Sequence, residues 1–383
     1  MKPLSLYIHW PFCLSKCPYC DFSSRVMPGS FEEEIWTQAY LRAIEDRAVK
    51  FKARPIRSIY FGGGTPSLMS PSLVAQLLDK ITATWSLQDN CEITLEANPS
   101  SSAREKFNAF KQAGINRLSL GVQALDDKVL SFLGRAHDAK TALEALDAAR
   151  QVFPRVSFDM IYGYAGHNAQ DWRKQLRQVL EMAPQHVSLY QLTIEKNTSF
   201  GKRAQNGETL AVDEDLAARL YELTQDLTES FGLPAYEISN HAKPWQESRH
   251  NLTYWRYDDY LGIGPAAHGR VAQEGGGWLS YENEKNPETW LSLLDSLNKG
   301  VTRMALLSAA VAQKEALMTG LRLRKGIDKA DWKKKFSHSV MSMFDEDKKA
   351  TLVEEGFLEE TPTHLSLTKA GRQRLDAVLA YVF

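Results

Sequence analysis

Apolar residues in this chain fall into short runs separated by longer stretches of helical periodicity. Leu6, Tyr7, Ile8 and Trp10 read as a buried first strand, broken at Pro11. Further strand-like runs lie at 59–61, 92–98, 117–123, 156–163 and 186–194. Between them, apolar positions recur three and four apart over 31–51, 126–132, 140–152 and 171–182, as on one face of a helix. Ser70 and Pro71 read as the cap and first position of a helix running to Trp85. Regular alternation of strand and helix predicts parallel strands, because each crossover helix returns the chain in the same direction. Six such units, rather than eight, predict an α/β fold built as an open (β/α)6 partial barrel. A laterally open barrel has room for a large flat substrate.

The pattern changes past the sixth strand. Residues 201–213 are polar, and 214–231 form one clear amphipathic helix. Residues 235–269 are dense in Tyr, Trp, His, Asn and Arg, then in small residues. Past Leu306 the chain predicts helices at 331–336 and 345–356, a two-stranded hairpin within 357–368 and a last helix. We therefore divide it into a core (1–200), a barrel-completing segment (201–300) and a smaller C-terminal helical, winged-helix-like domain (301–383). The mixed charges of that last unit suit a lid over the barrel mouth or a partner surface better than DNA.

Composition narrows the function classes. A formal net charge of -1 argues against a nucleic-acid surface, which needs a basic excess. No apolar run reaches the ~20 residues that span a bilayer. With the first strand starting almost at once, no signal peptide is expected. The expected location is the cytoplasm, with contact at the membrane periphery left open.

The candidate chemistry begins with Cys13, Cys17 and Cys20, three of the four cysteines, spaced C-x3-C-x2-C just after the first strand. Three soft thiolates on one loop can reach one inorganic centre. A [4Fe–4S] cluster normally takes four thiolates, so a cluster here would keep one iron open. Structural zinc would want four ligands and usually a second cysteine pair, and none exists. His9 as a fourth zinc ligand keeps that alternative open. Cys91 reads as a small buried hydrophobe. At strand ends lie Gly62 to Thr65, Glu96, Asn98 and Gln123, where βα barrels work; each of them alone could equally cap a loop.

The three-cysteine loop, with Tyr19 before its last cysteine, resembles that of radical S-adenosylmethionine (SAM) enzymes. Y-I-H-W-P-F-C, Y-F-G-G-G-T-P, G-V-Q, D-M-I-Y-G and R-H-N-L-T-Y-W more narrowly resemble the oxygen-independent coproporphyrinogen dehydrogenase group, and within it the HemW-type haem chaperone branch. The resemblance implies a [4Fe–4S] cluster on Cys13, Cys17 and Cys20, with SAM chelating the fourth iron and cleaved on reduction to a 5′-deoxyadenosyl radical. It implies SAM contacts from Tyr7, Tyr19, Gly63, Gly64, Thr65 and Glu96. It matches Gln123, Arg135 and Asp159 to cavity positions where related dehydrogenases hold a second SAM, though Arg135 could equally be a surface charge. In the motif H-N-x-x-Y-W, the residues His250, Asn251, Tyr254 and Trp255 become candidates for haem contact, with His241 and His268 as further candidate axial ligands. A histidine in such an aromatic stretch is otherwise a hydrogen-bonded core residue. Two departures stand out. Phe22 occupies the position of a further cysteine in the dehydrogenases, and G-Y-A-G replaces their G-L-P-G after Asp159. The implied function is a haem chaperone carrying haem as cargo to acceptor proteins, membrane-associated ones included. The alternatives are radical decarboxylation of coproporphyrinogen III, or another radical SAM reaction on a tetrapyrrole. The residues leave open the catalytic groups, the oligomeric state and the acceptor.

Overall fold

The computed structural model describes residues 2–51, 54–101, 104–274, 276–297 and 300–383. The six expected strands all form: Leu4–Trp10, Ile56–Gly63, Leu87–Ala97, Arg117–Gln123, Arg155–Tyr162 and His186–Gln191. They pair in chain order, each parallel to the next, with helices as the crossovers. Ser70 caps the helix Pro71–Thr84 by accepting from the Leu73 amide, as the sequence predicts.

Strict alternation along these strands sets the character of the barrel. Leu4, Leu6, Ile8 and Trp10 of the first strand are fully buried against the outer helices, as are Ile59 and Phe61, Leu118 and Leu120, and Val187 and Leu189 in later strands. The intervening positions are polar and turn inward: Ser5 and Tyr7, Ser58 and Tyr60, Glu92 and Glu96, Arg117 and Ser119, Ser157 and Asp159, Ser188 and Tyr190. Pairing keeps them in rows, Tyr7 beside Tyr60, Glu96 beside Ser119 and Asp159 beside Ser188. Side chains of successive strand residues point to opposite faces. One face therefore supplies the apolar core beneath the helices, and the other forms a polar interior. Closed βα barrels fill that space mostly with branched apolar residues; this one leaves it polar and open.

The sheet grows beyond the expected six strands. Tyr260–Ile263 adds in parallel outside the first strand, and His268–Ala272, Trp278–Asn283 and Val301–Leu307 follow as antiparallel neighbours. Asn240–Ala242 closes the other side. Among the described residues this makes one sheet of eleven strands. The polar stretch after the sixth strand holds a short helix, Ser199–Gln205, capped by Thr198.

A second core, around Leu317, Leu321, Trp332, Phe336, Leu352 and Leu365, belongs to the C-terminal unit. Its hairpin strands, Leu358–Glu360 and His364–Leu367, gain a third partner, Ile327–Asp328, giving a winged-helix-like arrangement. Of the two roles expected for this unit, a lid over the barrel mouth or a partner surface, its position does not suit the lid. The structure docks this unit near the amino-terminal end of the barrel. Lys335 donates to the Arg256 carbonyl and pairs with Asp258 (2.9 Å), just ahead of the strand Tyr260–Ile263. No described helix is long and apolar enough to cross a membrane.

Candidate functional site: a three-thiol loop over a polar barrel

The cysteine loop is stapled at its base. Phe12–Cys13 pairs with Arg25–Val26, and beneath it Trp10, Phe12, Phe31 and Trp36 pack edge to face. The glycine run is strapped to the same base. The Gly64 amide donates to the Trp10 carbonyl (2.6 Å) and the Thr65 amide to the Phe12 carbonyl (2.8 Å). A Cβ on Gly64 would lie 2.6 Å from the Phe12 carbonyl oxygen. On Gly63, at φ +113°, it would lie 2.6 Å from the His9 ring. The glycines thus permit a close approach, and what approaches is the protein's own cysteine loop.

Cys13, Cys17 and Cys20 are half-buried free thiols at the carboxyl ends of the strands, where they border a cavity of about 430 Å³. The same cavity is lined by Tyr19, Gly63, Gly64, Thr65, Glu96, Gln123, Arg135 and Asp159, eight of the nine residues matched to SAM contacts. The ninth, Tyr7, lies across the Gly63–Glu96 wall in a smaller cavity. Arg135 is not a free surface charge: one guanidinium nitrogen donates to Cys17 Sγ (3.3 Å) and another to the Gly121 carbonyl (3.2 Å). Gln123 holds a left-handed backbone (φ +68°), a conformation that side chains other than glycine adopt sparingly and often at functional sites.

Two carboxylates give this chamber its electrostatics. Burial pushes Glu96 up to about 7, although the Tyr60 hydroxyl (2.7 Å) and the Gly63 amide (3.3 Å) both donate to it. Burial pushes Asp159 up to about 6 against the pull of the Ser188 hydrogen bond, Arg117 and Arg135. Carboxylates that remain this reluctant to ionise lack a full set of donors, and a cationic ligand would supply one.

The donor set suits a cluster better than a single ion. The three thiols are soft ligands on one loop and none is in a disulfide. His9, the fourth ligand that zinc would need, has both ring nitrogens engaged, with the Tyr7 hydroxyl (3.1 Å) and the Ser23 carbonyl (2.9 Å). Arg135 Nε is buried with no hydrogen-bond partner beside the thiol loop.

The H-N-x-x-Y-W residues lie at the opposite end, on a helix (Arg249–Trp255) that plugs the amino-terminal mouth. His250 is buried beside early strand residues. Its Nδ1 pairs with Ser58 Oγ (2.9 Å), its Nε2 with Tyr254 Oη (2.8 Å), and its ring stacks on Tyr60. Both ring nitrogens are occupied. Asn251 reaches the thiol-lined cavity, Tyr254 borders the smaller one behind the Gly63–Glu96 wall, and Trp255 lies under the Arg322 guanidinium. His241 is fully buried, with Nδ1 on Thr228 Oγ1 (3.0 Å). His268 stands half-exposed on the smaller cavity.

The sequence reading missed the inward row of Tyr60, Arg117, Ser188 and Tyr190, all of which line the main cavity. Their signal was the alternation within each strand, the same positions that carry Glu96 and Asp159.

A parallel partial barrel with three thiols and a glycine strap over a polar chamber is the architecture of a radical SAM protein. Residues 7–179 match the Radical SAM superfamily and residues 307–374 the HemN C-terminal domain. The radical S-adenosyl methionine domain-containing protein 1, mitochondrial, of Danio rerio is 36% identical over 332 residues, 86% of this chain and 74% of that protein. The heme chaperone HemW of Mycobacterium tuberculosis is 32% identical over 381 residues, 99% of this chain and 94% of that one. The solved structure of coproporphyrinogen III oxidase (HemN) from Escherichia coli, a radical SAM enzyme, superposes with a TM-score of 0.84. It covers 100% of this chain and 90% of that one at 20% identity, a likeness of fold. The chain belongs to the HemW-type family of radical SAM proteins.

Proposed function

We propose that this chain is a haem chaperone that holds a [4Fe–4S] cluster on Cys13, Cys17 and Cys20, binds SAM beside it, and passes haem to acceptor proteins. The observation that carries the reading is the convergence of the three thiols with Gly63, Glu96, Arg135 and Asp159 on one cavity. Relatives named heme chaperone HemW, one of them matched over 99% of this chain, support haem as the cargo. When bound, the cluster would supply an open iron for the methionyl end of SAM and a source of one electron. The protein's own part is separable from that chemistry. Glu96 and Asp159 would meet the hydroxyls and ammonium of the nucleotide, for which an underpartnered carboxylate is a suitable acceptor. Arg135 would steady Cys17 by donating to its sulfur. Free thiols in this number suit a reducing cytoplasm, with acceptors at the membrane reached from that side.

The test is anaerobic reconstitution with iron and sulfide, followed by SAM titration and transfer of haem to an apo-acceptor. We expect a brown chromophore, a SAM-induced change in the reduced cluster's EPR signal, and haem transfer. Incubation with coproporphyrinogen and a reductant should yield no vinyl product. Turnover there would replace the chaperone reading by the dehydrogenase one.

A further inference from the structure

The smaller cavity, about 330 Å³, is lined by Tyr7, His9, Phe22, Tyr254, Tyr260 and His268, with Glu96 in the wall it shares with the thiol-lined cavity. Its character is aromatic: Tyr254 and Tyr260 meet edge to face at 4.7 Å, and the Phe22 ring stands 60% exposed at the rim. The histidines around the barrel differ in what their ring nitrogens do. His9 bonds Tyr7 Oη (3.1 Å) and the Ser23 carbonyl (2.9 Å), and His186 bonds Ser157 Oγ (2.6 Å) and Tyr236 Oη (3.0 Å). His250 is likewise saturated, and His241 is sealed in the core. His268 is different. It faces a cavity, is 43% exposed, and its nearest charged partner, Glu282, stands 3.9 Å from Nδ1, beyond hydrogen-bond range.

Phe22 and Ser23 also border a further cavity, about 840 Å³, whose wall carries Lys16, Arg25, Lys196 and Lys285 against Asp21 and Glu195. Arg25 is paired with Glu288, and Lys16 donates to the Phe22 and Ser24 carbonyls. Lys285 is exposed and close enough to depress His268 electrostatically. Burial, with Arg270 and Lys285, holds His268 below the usual histidine range against the pull of Glu282. An aromatic trough with one open imidazole runs into a trough whose cations outnumber its acids four to two. Haem is built the same way, with an apolar macrocycle, an iron that takes axial imidazole, and two propionates at one edge.

Resting on the haem reading above, we infer that His268 is the axial ligand of the cargo haem. The macrocycle lies against Phe22, Tyr254 and Tyr260, and the propionates turn toward Lys285. The H-N-x-x-Y-W helix then acts through Tyr254 as one wall of the site, and His250 positions that tyrosine by accepting or donating at its hydroxyl.

Haem is titrated anaerobically into the full chain, into His268→Gly with and without added imidazole, and into Lys285→Glu. His364→Gly, in the C-terminal unit, serves as a control. Wild type and control should develop the same Soret band. His268→Gly should lose it or shift it, and imidazole should restore it, which a merely structural role would not allow. Lys285→Glu should weaken binding while leaving the band position unchanged. A His268→Gly spectrum identical to wild type overturns the ligand assignment and leaves haem binding standing. A wild type that forms no Soret band overturns the haem reading itself, and the inference with it.

Discussion

The two ends of the barrel are built from the same inward-facing polar rows, yet they have opposite fates. At the amino end the buried charges and hydroxyls are tied to one another. Glu92 accepts from Arg155 (2.5 Å) and from the His250 amide (3.2 Å), and Ser5, Ser58 and His250 form a chain of hydrogen bonds. At the carboxyl end the corresponding groups face open space, and Glu96 and Asp159 ionise only with difficulty. Polarity inside a barrel is thus not itself a mark of function. Where the protein supplies the partner, a buried charge is architecture. Where the protein's own donors do not offset burial, as at Glu96 and Asp159, the site has room for one from outside.

The contrast can be broken most forcefully at the closed end. Glu92→Gln leaves the Arg155 guanidinium without its anion and should destabilise the chain by about 3–5 kcal/mol, read as a lowered denaturant midpoint at unchanged slope. Gly64→Ala drives a Cβ into the Phe12 carbonyl. It should cost about 1–3 kcal/mol, and its second readout is poorer cluster retention, since the strap holds the thiol loop. An equal loss of stability with normal cluster loading would uncouple strap from loop.

At the open end the effects are smaller and one reverses sign. Glu96 has a folded value of about 7 against an ordinary 4.5. The unfolded chain therefore releases this proton first, and stability falls as pH rises from 4.5 to 7. Glu96→Gln removes that penalty. Its melting point relative to wild type, in cluster-free protein without SAM, should climb across this window and level off above it, while SAM binding weakens. A flat difference across pH would remove Glu96 as the source. Smallest in stability is Cys17→Ser, expected within about 0.5 kcal/mol of cluster-free wild type because the thiol is half-exposed. It should nevertheless abolish the brown chromophore. Cluster retention by that variant would place a different donor on the iron.

Much of this division could be read from the residues alone. The six core strands and their crossover helices were legible because long apolar periodicities leave little choice of element. The three thiols were legible because their spacing serves one centre from one loop. The strand Tyr260–Ile263 was not, since so short a run beside a glycine-rich turn gives no signal that it pairs with the first strand of the chain. Nor was the helix Arg249–Trp255, whose aromatic and β-branched residues favour a strand locally and whose helicity is imposed by the Ser248 cap and by docking in the barrel mouth. The docking of the C-terminal unit was equally hidden, because the residues that join it, Lys335 and Asp258, look like ordinary surface charges until the fold pairs them.

The alternation along each strand also limits how this protein can change. Deleting one residue inside the strand Leu87–Ala97 is not a local event, because register has a period of two. Removal of Ile93 would turn Leu95 into the chamber and drive the Glu96 carboxylate under the helices. Lineages can therefore retune the chamber by exchanging side chains in place, whereas gains and losses of length must be confined to the connecting loops.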